Sequence, residues 1–125
     1  MKSYQLKVKK PWGYEIIFTP PDASTVGKLL HLKAGCRFSL QYHEIKEETL
    51  VLINGRANIF VGEVKEEMRP NHGYLIAPRL IHRCEALSDC DIFESSTKEE
   101  GTTVRIEDDY HRKDETEEER KSFRN

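Results

Sequence analysis

The stretch Gly35-Cys36-Arg37-Phe38-Ser39-Leu40-Gln41-Tyr42-His43-Glu44-Ile45-Lys46-Glu47-Glu48-Thr49-Leu50-Val51-Leu52-Ile53-Asn54-Gly55 decides how this chain is read. It holds two runs of strand-forming residues, Arg37 to Tyr42 and Thr49 to Ile53, joined by a charged connection and bounded by glycines. Side chains alternate along a strand, so Arg37, Ser39, Gln41 and His43 share one face and Phe38, Leu40 and Tyr42 the other. Glu48 opens the second run, five residues beyond His43, and can return to the face of Gln41 and His43 across a short loop. Asn54-Gly55 is a strong tight-hairpin signal, which predicts that Thr49–Ile53 pairs antiparallel with Arg56–Val61.

Working outward, similar short runs recur with turn residues between them. Tyr14–Phe18 is closed by Pro20-Pro21-Asp22, and Gly27–Lys33 by Ala34-Gly35. A charged loop, Gly62 to Asn71, separates Arg56–Val61 from Gly73–Ala77, and Arg83–Leu87 and Asp91–Ser95 follow. Before Lys98 no window carries an apolar stripe at i, i+3, i+4 and i+7, so the spacing predicts an all-β sandwich or barrel. Apolar residues nearly vanish after Tyr110, and from Glu107 onward acids and bases dominate. The domain is expected over residues 1–112, with 113–125 a solvated, charged C-terminal tail, partly helical through Glu117 and Lys121 at i, i+4.

The chain has 125 residues and a net charge of −2, with 20 Lys and Arg against 22 Asp and Glu. That length suits one domain, which buries roughly two thirds of the surface its unfolded chain exposes. The near-neutral charge gives no reason to expect nucleic acid or an anionic membrane as partner. No apolar run approaches the roughly 20 residues of a membrane span, and the N-terminus lacks a signal peptide's apolar stretch, so a cytoplasmic protein is expected. Cys36, Cys84 and Cys90 form no C-x-x-C and read as ordinary thiols. Trp12 and Tyr14 read as packing residues, and His31, His72 and His111 have no partner at ligand spacing.

A further histidine, His82, ends Ala77-Pro78-Arg79-Leu80-Ile81-His82. Imidazole nitrogen, carboxylate oxygen and amide oxygen together suit a borderline divalent transition metal such as Zn²⁺, Fe²⁺, Mn²⁺ or Ni²⁺. The spacing Gly35-x5-Gln41-x-His43-x4-Glu48-x6-Gly55 resembles the first motif of the cupin superfamily, with Gln41 in place of its first histidine. Ala77 to His82 is similar to the second motif, with Ala77 where proline and Arg79 where glycine is usual. Lys10-Pro11-Trp12-Gly13, Ser39-Leu40-Gln41-x-His43, Ile81-His82-Arg83 and Val104–Arg112 together resemble the cupin domain of type II mannose-6-phosphate isomerases. In that subfamily glutamine is the normal residue at the position of Gln41.

The resemblance implies a single-domain cupin-type β-barrel, a double-stranded β-helix or jelly roll, with Gln41, His43, Glu48 and His82 as metal ligands. Two departures alter the pattern: Glu44 and Ile45 replace two further histidines at the rim, and His111 replaces the glycine of a closing Tyr-Gly-Arg. The nucleotidyltransferase domain that usually accompanies such cupins is absent from the 125 residues. The parity of Lys28 with Leu30 and Leu32, and of Arg37 with Gln41 and His43, turns both cations inward. An inward cation needs an anionic partner, which is either internal (Glu94 or Glu48) or the phosphate or carboxylate of a ligand held by Lys28, Arg37 and Arg105. The implied reaction is metal-assisted aldose–ketose isomerisation of a sugar phosphate, such as a mannose-6-phosphate-like substrate, with Glu94 or Glu107 as the base. The alternative is a non-catalytic cupin that binds a sugar or nucleotide sugar. Cupins of this kind commonly pair, so a homodimer is expected, with the aromatic and apolar N-terminal run as an interface.

Overall fold

In a computed structural model of the protein, residues 1–122 are described. The turn-punctuated runs become strands β1 (Leu6–Lys10), β2 (Gly13–Ile17), β3 (Thr25–Leu32), β4 (Leu40–His43), β5 (Glu48–Asn54), β6 (Ala57–Val61), β7 (Val64–Glu67), β8 (Gly73–Ile76), β9 (His82–Ala86), β10 (Cys90–Thr97) and β11 (Thr103–Glu107), followed by helix α1 (Glu117–Ser122). They form two antiparallel sheets, one of order β1-β2-β3-β10-β5-β8 and one of order β11-β4-β9-β6-β7. The sheets pack face to face as an all-β jelly roll whose edges are not joined by hydrogen bonds into a closed barrel. Among the described residues no helix is long and apolar enough to cross a membrane.

The alternation in the sequence becomes an alternation of burial, as in β3, where every second residue from Val26 to Leu32 is buried. Leu30, Leu32, Leu50, Leu52, Ile76 and Ile92 from the larger sheet meet Ala57, Ile59, Cys84 and Ala86 from the smaller one, with Phe38 from the segment before β4. Each fully buried leucine or isoleucine contributes roughly 1.5–3 kcal/mol, so this end of the sandwich carries most of the stability. The inward face then changes character. Ile92 stands level with Leu30 and Leu52, but Glu94 stands level with Lys28 and Leu50, and Ser96 with Glu48. One end of the barrel is therefore apolar and the other charged, and the site lies at the charged end.

Several expectations need correction. Asn54-Gly55 does not close a hairpin: both edges of β5 are taken, by β10 and β8, so β6 pairs with β9 and β7 in the other sheet. Gly55, at φ 76°, is the corner where the chain changes sheets, and a Cβ there would run into the Asp89 carbonyl and Cys90. The charged loop Gly62–Asn71 contains β7, joined to β6 by the true two-residue hairpin Gly62-Glu63. The segment from Lys113 is largely exposed and partly helical, as expected, but it is docked at Glu115 and Arg120. The Glu115 backbone bridges to Thr103, and Arg120 of α1 is buried against the carbonyls of Glu99 and Gly101. Residues 123–125 lie outside the described residues.

Arg79 and His111, the two residues standing where the motifs have glycine, both adopt left-handed backbone, at φ 67° and 56°. The backbone requirement has been kept while the residue that meets it at least strain has not, at a cost of order 1 kcal/mol each.

Candidate metal centre

The connection between β4 and β5 folds Glu48 of the larger sheet against His43 of the smaller one, and β9 brings His82 alongside. One ligand atom from each of the three lies within 4.8 Å of the others, and all three residues are buried. Glu48 Oε1 is 2.8 Å from His82 Nε2 and 3.4 Å from His43 Nε2. The second ring nitrogens are fixed from behind. His82 Nδ1 is 2.8 Å from the Leu80 carbonyl, and His43 Nδ1 is 2.8 Å from the Thr103 hydroxyl.

Those partners fix which ring nitrogen of each histidine faces the cluster. A carbonyl only accepts, so His82 Nδ1 donates to Leu80 and Nε2 is the nitrogen turned to Glu48. Burial, reinforced by Lys46, lowers the His43 pKa to about 4, so the His43 ring is neutral at pH 7. Burial alone would raise Glu48, but Lys46 and the two imidazoles outweigh it and hold the carboxyl well below its ordinary value. Both Nε2 atoms are buried without a hydrogen-bond partner. Two imidazole nitrogens and a carboxylate oxygen converge on one buried point, a donor set that fits a divalent transition metal.

Of the other residues expected in the site, Gln41 lines the same cavity directly opposite His82, with its Oε1 engaged by the Ser39 hydroxyl at 2.5 Å. Glu94, Lys28 and Arg105 also line it. Arg37 does not. The chain before Leu40 is not regular strand, so the alternation argument fails there, and Arg37 forms a half-exposed pair with Asp109 at 2.7 and 2.8 Å. Glu107 does not either: a bulge between Arg105 and Glu107 turns it outward, leaving it exposed and 3.6 Å from Arg83.

The alternation also missed residues. Lys46, in the irregular connection before β5, is buried between Glu94 Oε2 at 3.1 Å and Glu48 Oε2 at 3.3 Å. Burial would lower its pKa, but the two carboxylates keep it charged. Thr103 faces His43 only through the β11–β4 register, which no local pattern reveals. Lys28 finds internal partners, Glu15 at 3.7 Å and Glu99, rather than Glu94 or Glu48. Burial raises Glu94 to about 7, Lys46 opposing and Glu48 adding to the rise. A carboxyl poised near neutrality, a few ångströms from a fixed carboxylate, can take or release a proton at physiological pH.

The family model described as mannose-6-phosphate isomerase C-terminal matches residues 1–115. No curated protein matches the chain in sequence. KdgF from a Halomonas species superposes with a TM-score of 0.69 at 12% identity, covering 78% of this chain and 94% of that one. A cupin superfamily protein from Desulfitobacterium hafniense gives 0.60 at 13% identity, with 66% and 74% covered. A single-residue variant of oxalate decarboxylase from Bacillus subtilis gives 0.70 at 15% identity, covering 82% of this chain but 30% of its own. At these identities the likeness is one of fold.

Proposed function

Because the chain belongs to the mannose-6-phosphate isomerase C-terminal family, we propose that it is a metal-dependent cupin that interconverts the aldose and ketose forms of a sugar phosphate. The observation that carries this reading is the placement of Glu94, a carboxyl near pH 7, in the same cavity wall as His43 and Glu48 of the cluster. Those three residues, with Gln41 beside them, would hold the ion, which when bound supplies a Lewis acid for the sugar's carbonyl and neighbouring hydroxyl. Glu94 moves the proton between the two carbons, and Lys46 orients its carboxylate. Ser96 donates to the same oxygen at 3.1 Å, so the opposite carboxylate oxygen is the one turned to substrate. Lys28 and Arg105 are the cations at hand to position the phosphate. A cytoplasmic setting is part of the reading and agrees with three free cysteines.

The test is a coupled assay on mannose 6-phosphate and a panel of hexose and pentose phosphates, with and without a chelator. Chelator-sensitive turnover, accompanied by solvent deuterium entering the sugar at C2, supports the enzyme. One observation favours the second reading, a non-catalytic sugar-binding cupin: Lys28 is already satisfied by Glu15 and Glu99, so the cavity is electrostatically closed without a reacting ligand. Saturable binding of a panel member with no turnover selects that reading.

A further inference from the structure

Residues 113–122, Lys-Asp-Glu-Thr-Glu-Glu-Glu-Arg-Lys-Ser, contain no apolar side chain, yet they lie across the mouth of the barrel. Polar contacts hold them. Thr103 N donates to the Glu115 carbonyl at 2.9 Å and Glu115 N to the Thr103 carbonyl at 3.0 Å. The Arg105 amide donates to Asp114 at 2.9 Å, and Gly101 N to Glu117 at 2.7 Å. Helix α1 has six residues, too few to be stable on its own. A segment docked without hydrophobic anchorage can be exchanged for another partner that offers the same hydrogen-bond and charge complement.

The group it offers is one carboxylate. Glu115 receives Arg120 Nε on Oε1 at 3.0 Å, and Arg105 Nη2 and Lys10 Nζ approach Oε2 at 3.4 and 3.9 Å. Glu115 is only 16% exposed, and Arg105 Nε beside it is buried with no acceptor. Space points the same way. The cavity above the ligand cluster measures about 70 Å³, room for about two waters, whereas small-molecule sites run to several hundred Å³. On the far side of Glu99 and Arg120, which line both spaces, a groove of about 520 Å³ opens between the Pro20-Pro21 loop and α1. Among the described residues six cationic side chains line the cavity against five carboxylates, and the excess of one positive charge stays when Glu115 and Arg120 withdraw together.

We propose that the barrel mouth is a binding site for a small oxyanion, built on Lys10 and Arg105, and that Glu115 of the chain's own C-terminal strap fills it until a ligand displaces it. Arg120 leaves with the strap, and cavity and groove then join into a space of ligand size. The proposal rests on reading this mouth as the ligand entrance, but it requires neither metal nor turnover, so its test stands if the isomerase reading fails.

The test titrates inorganic phosphate into the full-length, chelator-treated protein by calorimetry, with amide hydrogen exchange read in parallel. Glu115→Gln removes the competing charge and keeps the backbone bridge, so it tightens phosphate binding by about tenfold. Glu115→Asp, which keeps the charge but shortens its reach, gives a smaller gain and guards against a folding defect in the first variant. Arg105→Gln weakens phosphate in either background. In the wild type, saturating phosphate accelerates exchange at the amides of Thr103 and Glu115. Acetate is titrated as the second probe: preference for phosphate assigns a phosphate ester, and preference for acetate a carboxylate ligand. Equal phosphate affinity in the wild type and both Glu115 variants, or unchanged exchange at Glu115 under saturating phosphate, overturns the proposal.

Discussion

Replacing Glu94 by glutamine separates the stability of the site from its chemistry. The Glu94 carboxyl titrates at about 7 in the fold against an ordinary value of 4.5, so the native state holds a proton that the unfolded chain has released. Stability from this group is fully present below about 4.5 and is lost as pH rises through 7. At roughly 1.4 kcal/mol per pH unit the loss is about 3 kcal/mol. His43 acts in the opposite sense. Its pKa falls from 6.5 to about 4, so its contribution is present above 6.5 and lost as pH falls towards 4, again by about 3 kcal/mol. The two slopes overlap between pH 4.5 and 6.5 and oppose each other, so the chelated wild type has a nearly flat stability profile there. Glu94→Gln deletes one slope and exposes the other: stability rises with pH across this window. At pH 8 the variant exceeds the wild type by up to about 3 kcal/mol, while any isomerase turnover is abolished. Urea unfolding of both proteins at half-unit pH steps is the assay. A steep wild-type profile that survives the substitution, or a variant less stable at pH 8, would refute the assignment of these two groups.

Thr103→Val leaves the fold intact but frees His43 Nδ1, and divalent metal affinity measured by competition with a chromophoric chelator falls roughly 10–100-fold, the order of magnitude expected for such supporting groups. Gly55→Ala forces a side chain onto a left-handed corner against Asp89 and Cys90, and urea unfolding shows a loss of at least about 1–3 kcal/mol, more than glycine-to-alanine strain alone. Arg37→Ala removes a half-exposed pair with Asp109; phosphate binding and metal content stay at wild-type levels and stability changes by no more than about 1 kcal/mol.

What was legible in the sequence was whatever alternation controls. The strands and their inward faces followed from period-two patterning because one face of each is buried, and His43, Glu48 and His82, singled out by motif spacing, converge on one point. Alternation reaches only as far as the regular strand does. It misplaced Arg37, which precedes β4, and Glu107, which follows a bulge, and it passed over Lys46 in an irregular connection. The Asn54-Gly55 signal was sound as a turn and misleading as a hairpin, because local chemistry fixes the bend while the occupancy of both β5 edges decides the partner. The docking of the charged C-terminal segment was invisible for a different reason: its partners are backbone groups and buried ions brought near only by the finished fold.

Gly55 is one of the corners where the chain changes layers, and such crossings have a mechanical corollary. The β4–β5 connection makes the opposite crossing, so Glu48 hangs from one sheet while His43 and His82 hang from the other. An ion gripped by all three would be a rivet through the sandwich, the role a disulfide plays in secreted domains, but one whose strength follows the free-ion concentration as RT ln(1 + [M]/Kd). The rigidity of such a protein would be set partly by the ion supply around it, and a melting curve recorded at buffered metal concentrations would read that supply directly.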